Sequence, residues 1–518
     1  MKLLEILYSK SPSFVRSSIS SEIPTFILTH FGNCLKCPAL ESCCSCMESL
    51  FIEPEIVDSL FLRHKDLILS TFRSIGNSAP SAAVLTTLAR FSLFPHLVIA
   101  AWSLDALFHI VERDPPAITL LPSRIFPFSY LHQQYSGLSF LAALTKKLRI
   151  VWTDFQTNLP TDPSDLPKYL ELTKDDRYNV THPLGFCSHS FRIPNLLLNA
   201  TPPIEVNSQI IRKLILFVKE TLTTILTTIS NIDNLIASLP SDSSPTTPLV
   251  PGVDAQMTFT LQILRKEFAD YVDSSWCFFA DLTCNLTTLH RPSFEKIVLD
   301  DPSFPDLVLN SLKLPRQDVR SNTLRTVTNV VCEFPWMKKK MAASHFVEKM
   351  FETVDFGSFP LSASHTIFQL SNFIANMISP IQGDEKTWFK QPDLVSLSVF
   401  EPAKPFLTYL FQNSDKLILD EADKAELDFR VCLVHRHIKN MELGSFNLCP
   451  DFVTSEWKQH EPEQQKRREV LLREEGWDDA FELRVEPVKF QYEQTLIEIG
   501  RLMNPRSSLF HLRQAHLV

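Results

Sequence analysis

The chain has 518 residues, 44% hydrophobic and 21% charged, which suits roughly three globular domains or one elongated repeat domain. Its net charge of −9 argues against a general nucleic-acid or anionic-membrane binder, because either needs a basic face. There are only 10 glycines against 35 prolines, and no two glycines lie closer than Gly476 and Gly500, which excludes every motif built on closely spaced glycines. Phosphate-cradling loops and nucleophile elbows need such pairs to bring backbone N–H groups together. P-loop nucleotide hydrolases, glycine-loop kinases, fingerprinted dinucleotide enzymes and elbow hydrolases are thereby ruled out. Phe (39) outnumbers Tyr (8) and Trp (7), which favours buried aromatics over stacking platforms for bases. The expectation is a protein without enzymatic activity or cofactor.

The N-terminal part, residues 1–153, reads as helical. Its opening "MKLLEILYSKSPSF" has an apolar run too short for a secretory signal. The odd cysteine count points to reduced thiols and an intracellular, cytoplasmic location, with the nucleus left open. Sequons at Asn179, Asn199 and Asn285 then carry little weight. Between residues 34 and 46 the chain reads "CLKCPALESCCSC", two CxxC pairs formed by Cys34, Cys37, Cys43 and Cys46. Paired CxxC turns hold zinc when a loop between them lets four thiolates close a tetrahedron. Here the separation is short and holds no glycine. Ile27, Leu28, Phe31, Leu35, Leu40, Cys44, Met47 and Leu50 instead trace helical apolar stripes broken near Pro38, with cysteine as a small apolar filler. No metal is expected; a metal-binding or redox module at 34–46 is the alternative.

Residues 154–203 read as an irregular, proline-rich connection. A long helical hairpin follows at 204–290. Its first seam runs Ile211, Ile215, Val218, Leu222, Ile225, Ile229, Ile232, Ile236, Leu239, in steps of four and three. Its second runs Met257, Leu261, Leu264, Phe268, Tyr271, Phe278, Leu282, Leu286. A Ser/Thr/Pro loop at 240–256 separates them. Charges flanking the seam are scarce, so a buried hairpin is favoured over a coiled-coil homodimer.

Three stretches then align: "FADLTCNLTTL", "TLRTVTNVVCE" and "TIFQLSNFIAN". They place Asn285, Asn329 and Asn372 at separations of 44 and 43 residues. A period in the low forties marks stacked helical repeats. With "PRQDVRSNTLRTVTNVV" (Pro315 to Val331) and "MAASHFVEKMFETV" (Met341 to Val354), the sequence resembles the armadillo/HEAT family over about residues 280–440. That resemblance implies an all-α solenoid, with repeats at 291–445, working as a scaffold that binds an extended or helical protein segment on a concave face. It gives Asn285, Asn329 and Asn372 the role of hydrogen-bonding a peptide backbone, flanked by Arg325 and Phe368. Nuclear-import adaptors of that family carry Trp four residues before the Asn, where this chain has Asp281, Arg325 and Phe368, so a groove for basic cargo is not implied. The plainer alternative is that these asparagines bridge neighbouring helices.

Cys432, His435 and His437 in "CLVHRH" follow a helical pattern and read as structural. The charged tail, 446–518, reads as partly disordered. Its stretch "LLREEGWDDAFELRV" resembles a segment of uncharacterised helical-repeat proteins from protists. Glu474, Glu475, Asp478, Asp479 and Glu482 lack calcium-loop spacing and read as solvated charge. The expected partner is a protein, with neither nucleic acid nor membrane.

Overall fold

Apolar residues recur at helical spacing along the chain, and helices are what they form. The computed structural model describes most residues between 2 and 427, leaving out 34–39, 125–134, 160–180, 239–252, 354–362, 379–401 and scattered shorter stretches. The protein is all-helical, with no strand among the described residues. Contacts divide it into two units, Met1–Ser275 and Trp276–Val518.

The first unit begins with α1 (Lys2–Lys10), α2 (Pro12–Ser18), α3 (Ile23–Asn33), α4 (Leu40–Leu50), α5 (Pro54–Gly76), α6 (Ala82–Phe91) and α7 (Leu97–Arg113). Next come α8 (Phe140–Asn158), α9 (Thr181–Leu198), α10 (Ser208–Ser238) and α11 (Val253–Cys284), which runs across the boundary between the units. Local chemistry sets the starts. Pro12 and Pro54 occupy first helical positions, where a missing N–H costs nothing. Ser81 and Ser139 cap α6 and α8 by accepting hydrogen bonds from the N–H groups of Val84 and Ala142.

Helices alternate between neighbours. α1 packs on α4 and α4 on α6, while α3 packs on α5, α5 on α7 and α7 on α9. Pairs α3/α4 and α6/α7 join the two series. Gly76 lets α5 approach α7 closely, since a Cβ there would lie 3.3 Å from Ala106 Cα. Arg113 then satisfies carbonyls at the end of α5, donating to Gly76 O and to Asn77 O. α10 and α11 run antiparallel: Thr221 meets the Tyr271 hydroxyl at 2.7 Å, and Arg265 pairs with Asp233 at 2.6 Å.

In the second unit, the end of α11 leads through a one-turn helix (Arg291–Phe294) and a π-helical turn (Glu295–Leu299) into α12 (Phe304–Leu312). Then come α13 (Gln317–Glu333), α14 (Pro335–Ala343), α15 (Phe346–Thr353) and α16 (Ser364–Ile378). α13 packs on α16, and α12 on α13 and α15.

Two sequence expectations need correction. The stretch 154–203 is not wholly irregular, because it holds α9. Leu184, Cys187 and Phe191 are buried there, and that apolar stripe prevails over the prolines: Pro183 sits in the first turn, and Pro194 is held inside the helix, ahead of its last turn. The loop expected at 240–256 is shorter, since α11 already begins at Val253. The remainder of that loop and the tail at 446–518 lie outside the described residues.

Two glycine substitutions separate close packing from mere flexibility. Gly76→Val is expected to lower stability by about 2 kcal/mol, because its side chain would enter the α7 backbone. Gly185→Ala, in the interior of α9 with nothing within 4 Å of the new Cβ, is expected to raise it by about 0.5–1 kcal/mol. Urea denaturation of both variants reads the two signs.

Candidate functional site

The asparagine series falls into three different environments. Asn285 lies just past the last residue of α11, half-buried, with its Nδ2 3.4 Å from Asp281 O. Asn329, on α13, is buried. Its Nδ2 faces α11 and lies 3.1 Å from Ala280 O, 3.1 Å from Thr283 Oγ1 and 3.0 Å from Cys284 Sγ. Asn372, on α16, is also buried, and so is Phe368. The Oδ1 atoms of Asn329 and Asn372 are enclosed without a hydrogen-bond partner. Asn329 and Asn372 therefore do not line an accessible groove. Asn329 bridges helices, because an amide with two N–H groups can use the second lone pair of a neighbouring helical carbonyl.

Arg325 stands on the α11-facing side of α13 and pairs with Asp281 at 3.0 Å, its side chain about a third exposed. These are the positions one turn before Asn329 and Asn285, brought together across neighbouring helices. Cys284 lies between them, and burial raises its thiol pKa against the lowering influence of Arg325. That favours the inert thiol.

Of the cysteine cluster, Cys34 and Cys37 lie outside the described residues. Cys43 and Cys46 are buried in α4 together with Cys44 and Met47. Burial, reinforced by Cys43, pushes the Cys46 thiol up to about 12. Half of the cluster thus occupies core positions that disfavour thiolate. Among the described residues no group of three His, Cys, Asp or Glu could hold a metal ion. Cys432, His435 and His437 lie outside the described residues.

A different feature collects polar groups. A cleft of about 390 Å³ crosses α5, α7 and α9, three helices in succession. α5 supplies Lys65 and Arg73, α7 supplies Trp102 and Asp105, and α9 supplies His182 and His189. Helical spacing aims these groups at one face: Lys65 and Arg73 are eight apart, His182 and His189 seven. Trp102 forms the aromatic wall, with its ring 6.0 Å from His182 and 5.6 Å from Phe61. His189 stacks on Phe108 at 4.5 Å, places Nε2 3.6 Å from Asp105 and keeps Nδ1 enclosed without a hydrogen-bond partner. Burial, then Arg192 and His109, lower its pKa to about 3, so the imidazole is neutral. Burial raises the Asp105 pKa despite His109 and Arg73. No sequence motif marks this cleft, since its residues are single charges on three separate amphipathic helices. Only the alternation of helix neighbours would have placed them together.

The chain matches no family model, and no curated protein matches it. Among the described residues no helix is long and apolar enough to cross a membrane.

His189 links this site to pH. An unfolded histidine titrates near 6.5. Because the folded imidazole stays neutral to about 3, its contribution to stability is present above pH 6.5 and lost as pH falls through that window. The loss approaches about 1.4 kcal/mol per pH unit. Asp105, with its raised pKa, acts in the opposite sense at the acid end. His189→Phe, which keeps a ring against Phe108, is expected to lose about 1 kcal/mol less stability than the natural chain between pH 7 and 5.5. Urea unfolding at the two pH values measures the difference. For Asn329, replacement by Ala is expected to cost about 1–2 kcal/mol through the lost bridge to α11, leaving helix content by circular dichroism unchanged.

Proposed function

We propose that this protein is a non-catalytic interaction scaffold of armadillo/HEAT-like type, in which the α3–α5–α7–α9 series forms one row of a helical repeat and binds a protein segment across its face. The observation that carries this reading is the cleft spanning three consecutive members of that series. A helix pair cannot bury its apolar face alone, so stacked pairs share a core and leave one row presenting a continuous surface. Such a surface suits a segment whose side chains enter gaps between successive helices. Trp102 offers an apolar contact with a polar edge, and Lys65, Arg73 and Asp105 offer charge on either side. The second unit supports the repeat reading. Thr326 donates to Trp276 O and Asn329 to Ala280 O, 50 and 49 residues back, and Thr366 donates to Gln317 O, again 49 back.

Quantitative co-purification from the native cell tests the reading. The natural chain is expected to retain a protein that Arg73→Glu and Trp102→Ala both lose, while Lys213→Glu, on the exposed side of α10, keeps it. Melting temperatures should stay within a few degrees across the set. If all four chains recover the same proteins in the same amounts, the cleft is not the binding face.

A further inference from the structure

Beyond the kink of α5 at His64, the residues Lys65, Leu69 and Arg73 follow at steps of four, and all three line the cleft across α5, α7 and α9. Such steps set them in a row on one helix face, the two cationic residues about 12 Å apart with the leucine midway. From α7, Trp102 adds an aromatic wall and Asp105 the only carboxylate among the described lining residues. Asp105 is engaged within the molecule, since the Nε2 atoms of His109 and His189 each lie 3.6 Å from its Oδ1. The lining thus sets two cations against one carboxylate, in a chain whose net charge is −9. A volume of about 390 Å³ leaves room for one large apolar side chain between those cations. We infer that the protein segment held in this cleft is acidic, with a carboxylate side chain on either side of one large apolar side chain.

Spacing along α5 sets the pattern of that segment. In an extended chain alternate side chains share a face, and four residues span about 13 Å. Carboxylates four residues apart therefore match Lys65 and Arg73, and the side chain midway between them meets Leu69 and Trp102. In a helical segment the same two residues would be separated by only about 6 Å along the axis, half the distance needed. Partly exposed ion pairs contribute modestly, so the apolar contact supplies most of the affinity and the charges select the partner. This acidic preference rests on the cleft being the binding face proposed above, and it specifies the kind of segment which that face takes.

The probes are two fluorescently labelled peptides, Ser-Glu-Ser-Phe-Ser-Glu-Ser and Ser-Lys-Ser-Phe-Ser-Lys-Ser. Each is titrated with the folded full-length chain at low ionic strength and followed by anisotropy. The glutamate peptide is expected to bind about tenfold more tightly than the lysine peptide. The doubly charge-reversed chain, Lys65→Glu with Arg73→Glu, is expected to exchange that preference, which a misfolded chain could not do. Lys213→Glu, on the exposed side of α10, should leave both affinities unchanged. Equal affinities for the two peptides, no measurable binding of the glutamate peptide, or a preference that survives the charge reversal each overturn the inference. Co-purification with Trp102→Ala judges the binding face separately. A partner lost there, with equal peptide affinities here, leaves the face standing and removes only its acidic preference.

Discussion

An all-helical core offers few acceptors to a buried donor. Every backbone N–H inside a helix is already bonded, and each carbonyl has only its second lone pair left. A buried hydroxyl or amide must use that lone pair, on its own helix or on a neighbour, or cost about 1–3 kcal/mol. Thr326 shares its single hydrogen between Asn322 O on its own turn and Trp276 O on α11. Asn329 spreads two hydrogens over Ala280 O, Thr283 Oγ1 and Cys284 Sγ. Thr71 does the same between Leu67 O and Leu28 O, linking α5 to α3. Apolar contacts bring helices together without saying which carbonyl meets which side chain; these donors fix the register.

Charges join further pairs of helices. Glu48 of α4 takes two hydrogen bonds from Arg90 of α6, and Glu333 on α13 meets Arg291 at 3.2 Å. Burial raises both glutamate pKa values even though an arginine opposes it, so desolvation outweighs the pairing. Such pairs add little net stability, and their effect lies in excluding other partners, since a shifted helix would strand a buried carboxylate. Arg291 also stacks over the Phe334 ring at 4.8 Å, which leaves the guanidinium a single favourable position. Rigid neighbours of this kind are what a surface assembled from three helices, such as the cleft of α5, α7 and α9, requires.

Helical class was legible in the sequence because the spacing of apolar residues is a local property. The seam Ile211 to Ile232 is buried as its periodicity foretells, and Cys43 and Cys46 fill core positions beside Met47. What sits against a helix is not local. The recurrence of Asn at 44 and 43 residues signals a repeated position, but periodicity alone cannot say whether a face meets solvent or another helix. Asn329 meets α11. The cleft escaped detection for the same reason, with Lys65 and His189 separated by 124 residues and each reading as an ordinary charge or a core histidine. Proline is a strong local signal against helix, yet α9 holds Pro183 in its first turn and Pro194 in its interior, where burial of Leu184, Cys187 and Phe191 outweighs the local cost.

The asparagines then raise a question of economy in the core. Leu at position 329 would bury more apolar surface, and Asn leaves Oδ1 without a partner there and again at Asn372. An amide tolerated twice at that cost has to contribute something a leucine lacks. At Asn329 the contribution is directional: its Nδ2 lies within reach of α11 carbonyl and side-chain acceptors in one alignment, whereas an aliphatic side chain would accept a neighbour slid by a turn. Asp281 and Arg325, one turn earlier on the same two helices, repeat that demand with opposite charges. Two specific contacts a turn apart define both translation and rotation between α11 and α13, which one contact cannot do. Stability in this unit is therefore supplied by the apolar stripes, and alignment by a small number of polar groups that are each a thermodynamic liability when considered alone.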